Sequence, residues 1–183
     1  MLSTDRLVLR RWTPQDLAPF AALNADPEVM EFFPATLTRE ESDALVSRIE
    51  QRFDEEGFGF WVVEHEGKFL GFTGLTRPKF EAHFTPAVEV GWRFARPAWG
   101  HGFATEAARA ALAFGFDTLG LDEIVAMTTV GNQRSRAVMR RLGMAHDPAD
   151  DFDHPNLPGH PLERHVLYRL ARKNHPYAAA GIF

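Results

Sequence analysis

The sequence predicts an α/β protein, a single domain with a mixed central β-sheet flanked by helices. Three observations lead there. The hydrophobic period switches repeatedly between two, the mark of a half-buried strand, and 3.6, the mark of an amphipathic helix. No internal repeat, low-complexity run or linker interrupts the patterned segments. A chain of 183 residues is also long enough for one sizeable core and cramped for two, so residues 1–183 are expected to form one domain.

Each element has its own local reason. "RLVLRRW" (6–12) alternates as a strand does, with Leu7 and Leu9 on one face. Thr13 then caps a helix opened by Pro14 and carrying Leu17, Phe20, Ala21 and Leu23. Residues 24–34 are irregular, and their apolar "VMEFFP" is unusual for a loop. Thr38 and Glu41 have the spacing of a capping box, which starts a helix running to about Glu56. "GFGFWVVEHEGKFLGFTGL" (57–75) is a hairpin turning at Glu66-Gly67. "AVEVGWRF" (87–94) is a strand, followed by a helix to about Leu119 that Gly120 closes. "DEIVAMTTV" (122–130) is a buried strand, "NQRSRAVMRRL" (132–142) a helix stopped by Gly143, and "HVLYRL" (165–170) a late strand. Residues 146–161, rich in Pro, Asp and His, carry no periodic pattern.

Composition excludes several functions. Lys and Arg number 20 against 25 Asp and Glu, a net charge of −5, which opposes an extended nucleic-acid surface. The absence of cysteine removes disulfides, thiolate catalysis and cysteine-ligated zinc. The N-terminal "MLSTDRLVLRRW" scatters charges through its apolar residues and so is no signal-peptide core. No apolar run approaches the roughly 18 residues of a membrane span. A cytoplasmic protein with no membrane or nucleic-acid partner is expected.

The stretch "RPAWGHGFATEAARAALAFGF" (96–116) is the most informative. A helix N-terminus presents unpaired N–H groups and a partial positive charge, which together suit an anion. Gly100, Gly102 and Ala104 would keep one side clear while the backbone of His101, Phe103 and Thr105 faces a phosphate. A tight strand-to-helix turn would use the same residues. A Walker A loop is excluded, since Phe103-Ala104-Thr105 stands where its Lys-Ser/Thr pair belongs. The dinucleotide fingerprint fails as well, because its third glycine slot holds Thr105. What remains is a site for a diphosphate that is bound without being hydrolysed.

This segment resembles the acetyl-CoA motif of the GNAT superfamily of N-acetyltransferases, Q/R-x-x-G-x-G/A. "WGHGFA" occupies it, with Trp99 standing where Gln or Arg is usual. An aromatic there, and the following "TEA", are similar to the RimJ/RimL-like branch, which acetylates ribosomal-protein N-termini. "GNQRSRAVMRRLGM" resembles the superfamily's second signature, N-x-x-S followed by a helix and Leu-Gly. "TDRLVLRRWTPQDL" and "HVLYRL" are similar to its first and last strands, so the likeness covers nearly the whole chain. It implies a GNAT fold with a splayed pair of strands at the cofactor site, and acetyl-CoA as cosubstrate.

Roles for individual residues follow from that likeness. On the strand at 87–94, Val88, Val90, Trp92 and Phe94 share one face and Glu89, Gly91 and Arg93 the other. In family members the pantetheine arm pairs with the freed edge of this strand, which gives the backbone of Phe94 and Ala95 its amides to hold. Trp99, Gly100, His101, Gly102, Phe103, Ala104 and Thr105 would hold the diphosphate. Asn132 would contact pantetheine, and Ser135 would protonate the departing sulfur; a helix cap and a first-turn residue are the plainer readings of the same pair. For the base, Glu89 competes with Asp153 and His154 in "DDFDHP". Asp147, Asp150, Asp151, Asp153, His154 and His160 have no metal-ligand spacing, and acetyl transfer needs no metal.

The function expected is direct transfer of acetyl from acetyl-CoA to a primary amine in a ternary complex, with a protein or peptide N-terminal α-amine as acceptor. A small amine such as an antibiotic or polyamine, and a non-catalytic acyl-CoA-binding module, are the alternatives. The protein would be a monomer or a homodimer.

Overall fold

The computed structural model describes residues 1–176. They fall into two compact units, the first made of Met1–Gly74 and Gly91–Ala110, the second of residues 75–90 and those from 111 onward. The last seven positions of the expected domain, residues 177–183, lie outside the described residues.

In the first unit, β1 (Leu2–Ser3), β2 (Val8–Arg10) and β3 (Phe60–His65) pair antiparallel, and β3 pairs likewise with β4 (Lys68–Thr76). The hairpin turns at Glu66 and Gly67, both at positive φ, as a two-residue turn requires. α1 (Leu17–Ala25) follows a 3-10 turn at Pro14–Asp16. Thr13 is the N-cap of that turn with Asp16 as its capping-box partner, and its N–H and hydroxyl both donate to the Asp16 carboxylate at 2.8 Å. α2 (Arg39–Glu56) has the expected capping box, Glu41 N–H to Thr38 Oγ1 and Thr38 N–H to Glu41 Oε2. Gly57, at φ +77°, ends it.

Aromatic rings fill the space under these elements. Trp12 lies 4.6 Å from Phe20, Phe20 lies 5.8 Å from Phe72 edge-on, and the indole N–H of Trp12 donates to the Phe60 carbonyl. A buried tryptophan thus has its polar atom satisfied, and tilted or edge-on pairs add about 0.5–1.5 kcal/mol each beyond area burial. β3 and β4 approach so closely that a Cβ at Gly74 would stand 2.0 Å from the Gly59 carbonyl oxygen, which is backbone and has nowhere to go. Only glycine fits there.

In the second unit, β6 (Glu123–Thr129) runs parallel to β5 (Glu89–Phe94) in the register Glu89 to Val125, and antiparallel to β9 (Arg164–Ala171) along seven residue pairs. Two short strands, β7 (Ala145–His146) and β8 (Phe152–Asp153), also pair antiparallel with β9. The stretch read as patternless is therefore partly strand, held by its partner and too short to show a period. Phe84, Val125, Phe152 and Leu167 form the buried cluster here, with Phe80 and Met127 packed against it. α4 (Gln133–Arg141) begins at its cap Asn132.

Antiparallel ladders together with the parallel β5–β6 ladder, flanked by helices, make the mixed sheet of a GNAT fold. A ladder carrying one register pair is the short pairing that splayed strands leave. α3 (Phe103–Ala113) departs from expectation at its end, passing into a π turn at Phe114–Thr118 before Gly120 closes it at φ +70°. Gly115 sits in that turn, where a Cβ would come within 2.6 Å of Ile124 Cδ1.

Asp16 shows how the first unit depends on charge. It is 2% exposed, and Arg10 makes a two-pronged contact with it, Nη1 to Oδ2 at 2.8 Å and Nη2 to Oδ1 at 2.9 Å. Burial alone would raise the Asp16 pKa. The Arg10 guanidinium and the two Thr13 donors outweigh it and hold the carboxyl below its ordinary range. Because the folded value is the lower one, the stabilisation is present above the unfolded pKa of about 3.9 and disappears as pH falls through the folded value. Urea denaturation across that range should show wild-type stability dropping below pH ~4, and Asp16→Asn should cost at least about 2 kcal/mol at neutral pH, a gap that narrows in acid.

Candidate functional site

The glycine loop before α3 is built against the chain's N-terminal residues. Gly100 and Gly102 both lie at φ +80°, a backbone conformation that side chains with a Cβ rarely adopt. A Cβ at Gly100 would meet nothing within 4 Å, so the turn itself demands glycine there, and the clear side is its consequence. The first rung of α3 is Glu106 N–H to the Gly102 carbonyl, which leaves the N–H groups of Phe103, Ala104 and Thr105 outside the helical ladder. His101 and Gly102 are exposed, Ala104 is half-buried, and the side chains of Phe103 and Thr105 are buried. An anion can therefore meet backbone donors here without displacing a side chain.

Glu106 would by itself repel such an anion from the first turn. Arg6 neutralises it through Nε to Oε2 at 2.8 Å and Nη2 to Oε2 at 2.6 Å, and the Thr4 hydroxyl donates to its other oxygen. Burial pushes the Glu106 pKa up, but these donors prevail and keep it low, so it stays ionised and paired. The same guanidinium donates to the His101 carbonyl at 3.1 Å, covers the Phe103 ring at 4.6 Å, and passes 3.7 Å from where a Gly102 Cβ would be. Thr4 and Arg6 escaped the sequence reading. About a hundred residues separate them from Glu106, and no local period links them.

Val88, just before β5, and Val90 and Phe94 on it are buried, while Glu89, Gly91, Trp92 and Arg93 are half-buried, so Trp92 is less covered than the face it shares. The backbone groups expected to receive pantetheine are partly engaged. Ala95 N–H donates to the Leu70 carbonyl, the Ala95 carbonyl accepts from Ala98, and the Phe94 carbonyl accepts the Trp99 indole N–H at 2.8 Å. Each of the two carbonyls keeps a second lone pair. Trp99 thus braces the strand end from within the motif.

Ser135 and Asn132 meet at the start of α4. Asn132 Oδ1 accepts the Ser135 N–H at 3.1 Å, while Nδ2 donates to Thr128 Oγ1 and to Ser135 Oγ at 3.0 and 3.2 Å. The cap reading of Asn132 is therefore realised, and both of its amide hydrogens are spent. Ser135 Oγ, being an acceptor in that contact, has its own hydrogen to give. This is the polarity a proton donor needs.

The three base candidates differ in what they already hold. Asp153 is exposed and accepts from Arg164 at 3.1 Å. His154 Nδ1 accepts the Asn156 N–H, which places its hydrogen on Nε2 and occupies its lone pair. Burial, reinforced by His165 at 5.0 Å, pushes the His154 pKa down, so the ring is neutral at neutral pH. Its faces pack on Phe80 and Phe152. Glu89 is half-buried at the start of β5. Among the described residues no group of three or more His, Asp and Glu could hold a metal ion, and no helix is long and apolar enough to cross a membrane.

Among the described residues Arg93 has no counter-ion. Its Nη1 donates to Asn24 Oδ1, its guanidinium carbon lies 4.1 Å above the Phe33 ring and 5.4 Å from Phe72, and its buried Nε has no partner. Burial pushes its pKa down to about 10, which leaves it charged at neutral pH. A buried unpaired donor costs about 1–3 kcal/mol.

Comparison with known proteins agrees with this geometry. The family model described as "Acetyltransferase (GNAT) domain" matches residues 6–145. A Bacillus subtilis relative, the uncharacterized protein YkkB, is 33% identical over 146 residues, covering 78% of this chain and 84% of its own. The FsC-acetyl coenzyme A-N(2)-transacetylase of Aspergillus fumigatus is 34% identical over 158 residues, covering 82% of this chain and 67% of its own. Among solved structures, an acetyltransferase (GNAT family) from Bacillus anthracis superposes with a TM-score of 0.78 at 23% identity, over 94% of this chain and 98% of that one. The ribosomal L7/L12 alpha-N-protein acetyltransferase RimL, in complex with coenzyme A, gives 0.74 at 15%, over 93% and 97%. The spermidine N-acetyltransferase of Vibrio cholerae, in complex with CoA and spermine, gives 0.72 at 18%, over 93% and 98%. At such identities the structural likenesses speak for the fold. The family match, spanning well over half of the chain, shows that this protein belongs to the GNAT acetyltransferases and is an N-acetyltransferase.

Proposed function

We propose that both compact units serve one cytoplasmic acetyltransferase domain, which transfers acetyl from acetyl-CoA to the α-amine of a protein or peptide N-terminus, as in the RimJ/RimL-like branch. The glycine turn and the N–H groups of Phe103, Ala104 and Thr105 bind the diphosphate, with Arg6 cancelling the charge of Glu106. The neutral amine attacks the thioester carbonyl; the C–N bond forms and the C–S bond breaks. Ser135 gives its hydroxyl hydrogen to the leaving thiolate and takes one back from water, while the nitrogen's surplus proton passes to Glu89 or to water, so one proton leaves nitrogen and one is gained by sulfur. Trp99 and the "TEA" that follows the motif support the branch.

The observation that carries the choice of an α-amine is that two of the base candidates are already committed, His154 Nδ1 accepting the Asn156 N–H and Asp153 accepting from Arg164. A site whose bases are weak favours an amine that arrives neutral. A lysine amine of pKa about 10.4 is neutral in roughly one molecule per few thousand at pH 7, whereas an α-amine near 7.7–8.0 is neutral in about a tenth. A small amine is the second reading, favoured by the relative at 34% identity whose name gives FsC as the group acetylated.

CoA and acetyl-CoA should raise the melting temperature, by the equivalent of about 2.7 kcal/mol at a hundred times Kd, while NADH and ATP leave it unchanged. Equal shifts with NADH would refute the cofactor assignment. Ser135→Ala should lower kcat by roughly ten- to a thousandfold with acetyl-CoA affinity preserved; single-turnover rates equal to wild type would reduce Ser135 to a helix-turn residue. In direct competition, a peptide with a free N-terminus should be acetylated ahead of its N-terminally blocked lysine counterpart. Preference for the lysine would overturn the acceptor choice.

A further inference from the structure

Arg93 differs from four other arginines of its unit. Half-buried Arg10 holds a carboxylate, as do the exposed Arg6, Arg11 and Arg96. Arg93 holds a neutral amide oxygen and two aromatic faces, and no carboxylate among the described residues pairs with it. The bond to Asn24 uses Nη1. It leaves Nε–H and Nη2–H, two parallel donors along one edge of a planar cation, and Nε is without a partner. That edge has the spacing and direction of the two oxygens of a carboxylate.

The surroundings fix the edge in place. Asn24 is fully buried and donates through Nδ2 to Ser42 Oγ, so Arg93 cannot turn to seek another partner without breaking a chain of two hydrogen bonds. Gly91, two residues earlier on β5, lacks a side chain, and a Cβ there would come within 3.1 Å of Phe60. Phe33 lies over the guanidinium and is 37% exposed, one of few large apolar side chains so open to water.

We propose that the Nε–Nη2 edge of Arg93 binds a carboxylate carried by the acyl acceptor. The inference deepens the reading of a peptide-like acceptor and rests on it for the identity of the ligand. The carboxylate could be an acidic side chain next to the reacting amine or the terminal carboxylate of a very short peptide. A polyamine offers neither.

The binding test uses the whole protein and sodium acetate as probe, with sodium chloride at matched ionic strength as control. In nitrogen-15 spectra of the arginine Nε–H groups, the signal missing from Arg93→Lys identifies Arg93. Acetate should shift that signal saturably, in the presence and absence of CoA, while exposed arginines such as Arg140 follow the chloride control. An unmoved Arg93 signal in a protein that still binds CoA overturns the carboxylate site and leaves the acetyltransferase reading intact. A moved signal in a protein that does not bind CoA does the reverse.

The kinetic test compares Ala-Asp amide, Ala-Asn amide and unamidated Ala-Asn, which separates side-chain from terminal carboxylate. One acid form should have a KM about ten- to a hundredfold below Ala-Asn amide, the scale of a charge-assisted bond. Arg93→Lys should lose most of that preference, and Arg93→Met all of it, read as the KM ratio of acid to amide peptide within each variant. Equal KM for all three peptides, or an acid preference that survives in Arg93→Met, shows that Arg93 merely ties β5 to Asn24.

Discussion

The anion site proposed at the start of α3 depends on one ion pair, that of Arg6 with Glu106. A carboxylate in a helix's first turn is worth about 0.3–1 kcal/mol to the helix through the macrodipole, but it occupies the field an incoming phosphate would use. Arg6 lets both hold. Its charge cancels that of Glu106, so the uncancelled N–H groups of the turn set the local potential. It also fixes the loop mechanically, because the same side chain bonds the His101 carbonyl and lies on Phe103. With the loop fixed at both ends, Gly100 and Gly102 supply the two left-handed steps that bring the chain from the 3-10 turn at Arg96–Ala98 into α3. Exposure of the Arg6 side chain (44%) limits the energetic worth of the pair, so its weight lies in geometry and local charge more than in stability.

β5 carries a different constraint. One face supplies core, through Val88, Val90 and Phe94, and the other presents Glu89, Gly91 and Arg93. A strand with an apolar face and a charged opposite face has a firmly specified register, since a slip by one residue would put Arg93 into the core. The cost of placing a guanidinium there is reduced by Asn24 and by the Phe33 and Phe72 rings, whose negative faces attract the cation. These contacts do not complete its hydrogen bonding. An unsatisfied, immobilised cation is what a recognition group looks like before its anion arrives.

Long periodic elements were legible in the sequence because their residues need no distant information. The capping box at Thr38 and Glu41, the Glu66-Gly67 hairpin and the Asn132 cap are fixed by neighbours three residues apart or fewer. What escaped detection is non-local or too short. β1, β7 and β8 have two residues each, and they are strands only because β2 or β9 supplies the ladder. The π turn at Phe114–Thr118 arises where Gly115 packs against Ile124 and Leu75, which no 3.6-residue period announces. The "VMEFFP" stretch looked too apolar for a loop because Val29 and Met30 are buried and Phe33 rests on Arg93. Thr13 was legible as a cap for the same local reason, its N–H and hydroxyl both meeting Asp16 three residues on. At the candidate site the glycine run was visible, whereas the neutralising Arg6 and the neutral partner of Arg93 each lie far along the chain.

Proton inventory ties these observations to the proposed chemistry. Acetyl transfer to an amine must remove one proton from nitrogen and supply one to sulfur, and the two need not be handled by equally strong groups. The Asn132 amide points a hydrogen at Ser135 Oγ, and accepting that bond makes the hydroxyl a better donor, which favours protonation of the leaving thiolate. The basic side is weaker. A histidine whose lone pair is engaged and whose protonated form is disfavoured by burial makes a poor proton acceptor, and His154 has both properties. The imbalance selects acceptors that arrive neutral. It also explains why recognition elsewhere on the acceptor would matter: an α-amine is common to every peptide, so discrimination has to come from a group beside it. Arg93, a held cation whose buried Nε has no partner among the described residues, is the group proposed to supply that discrimination.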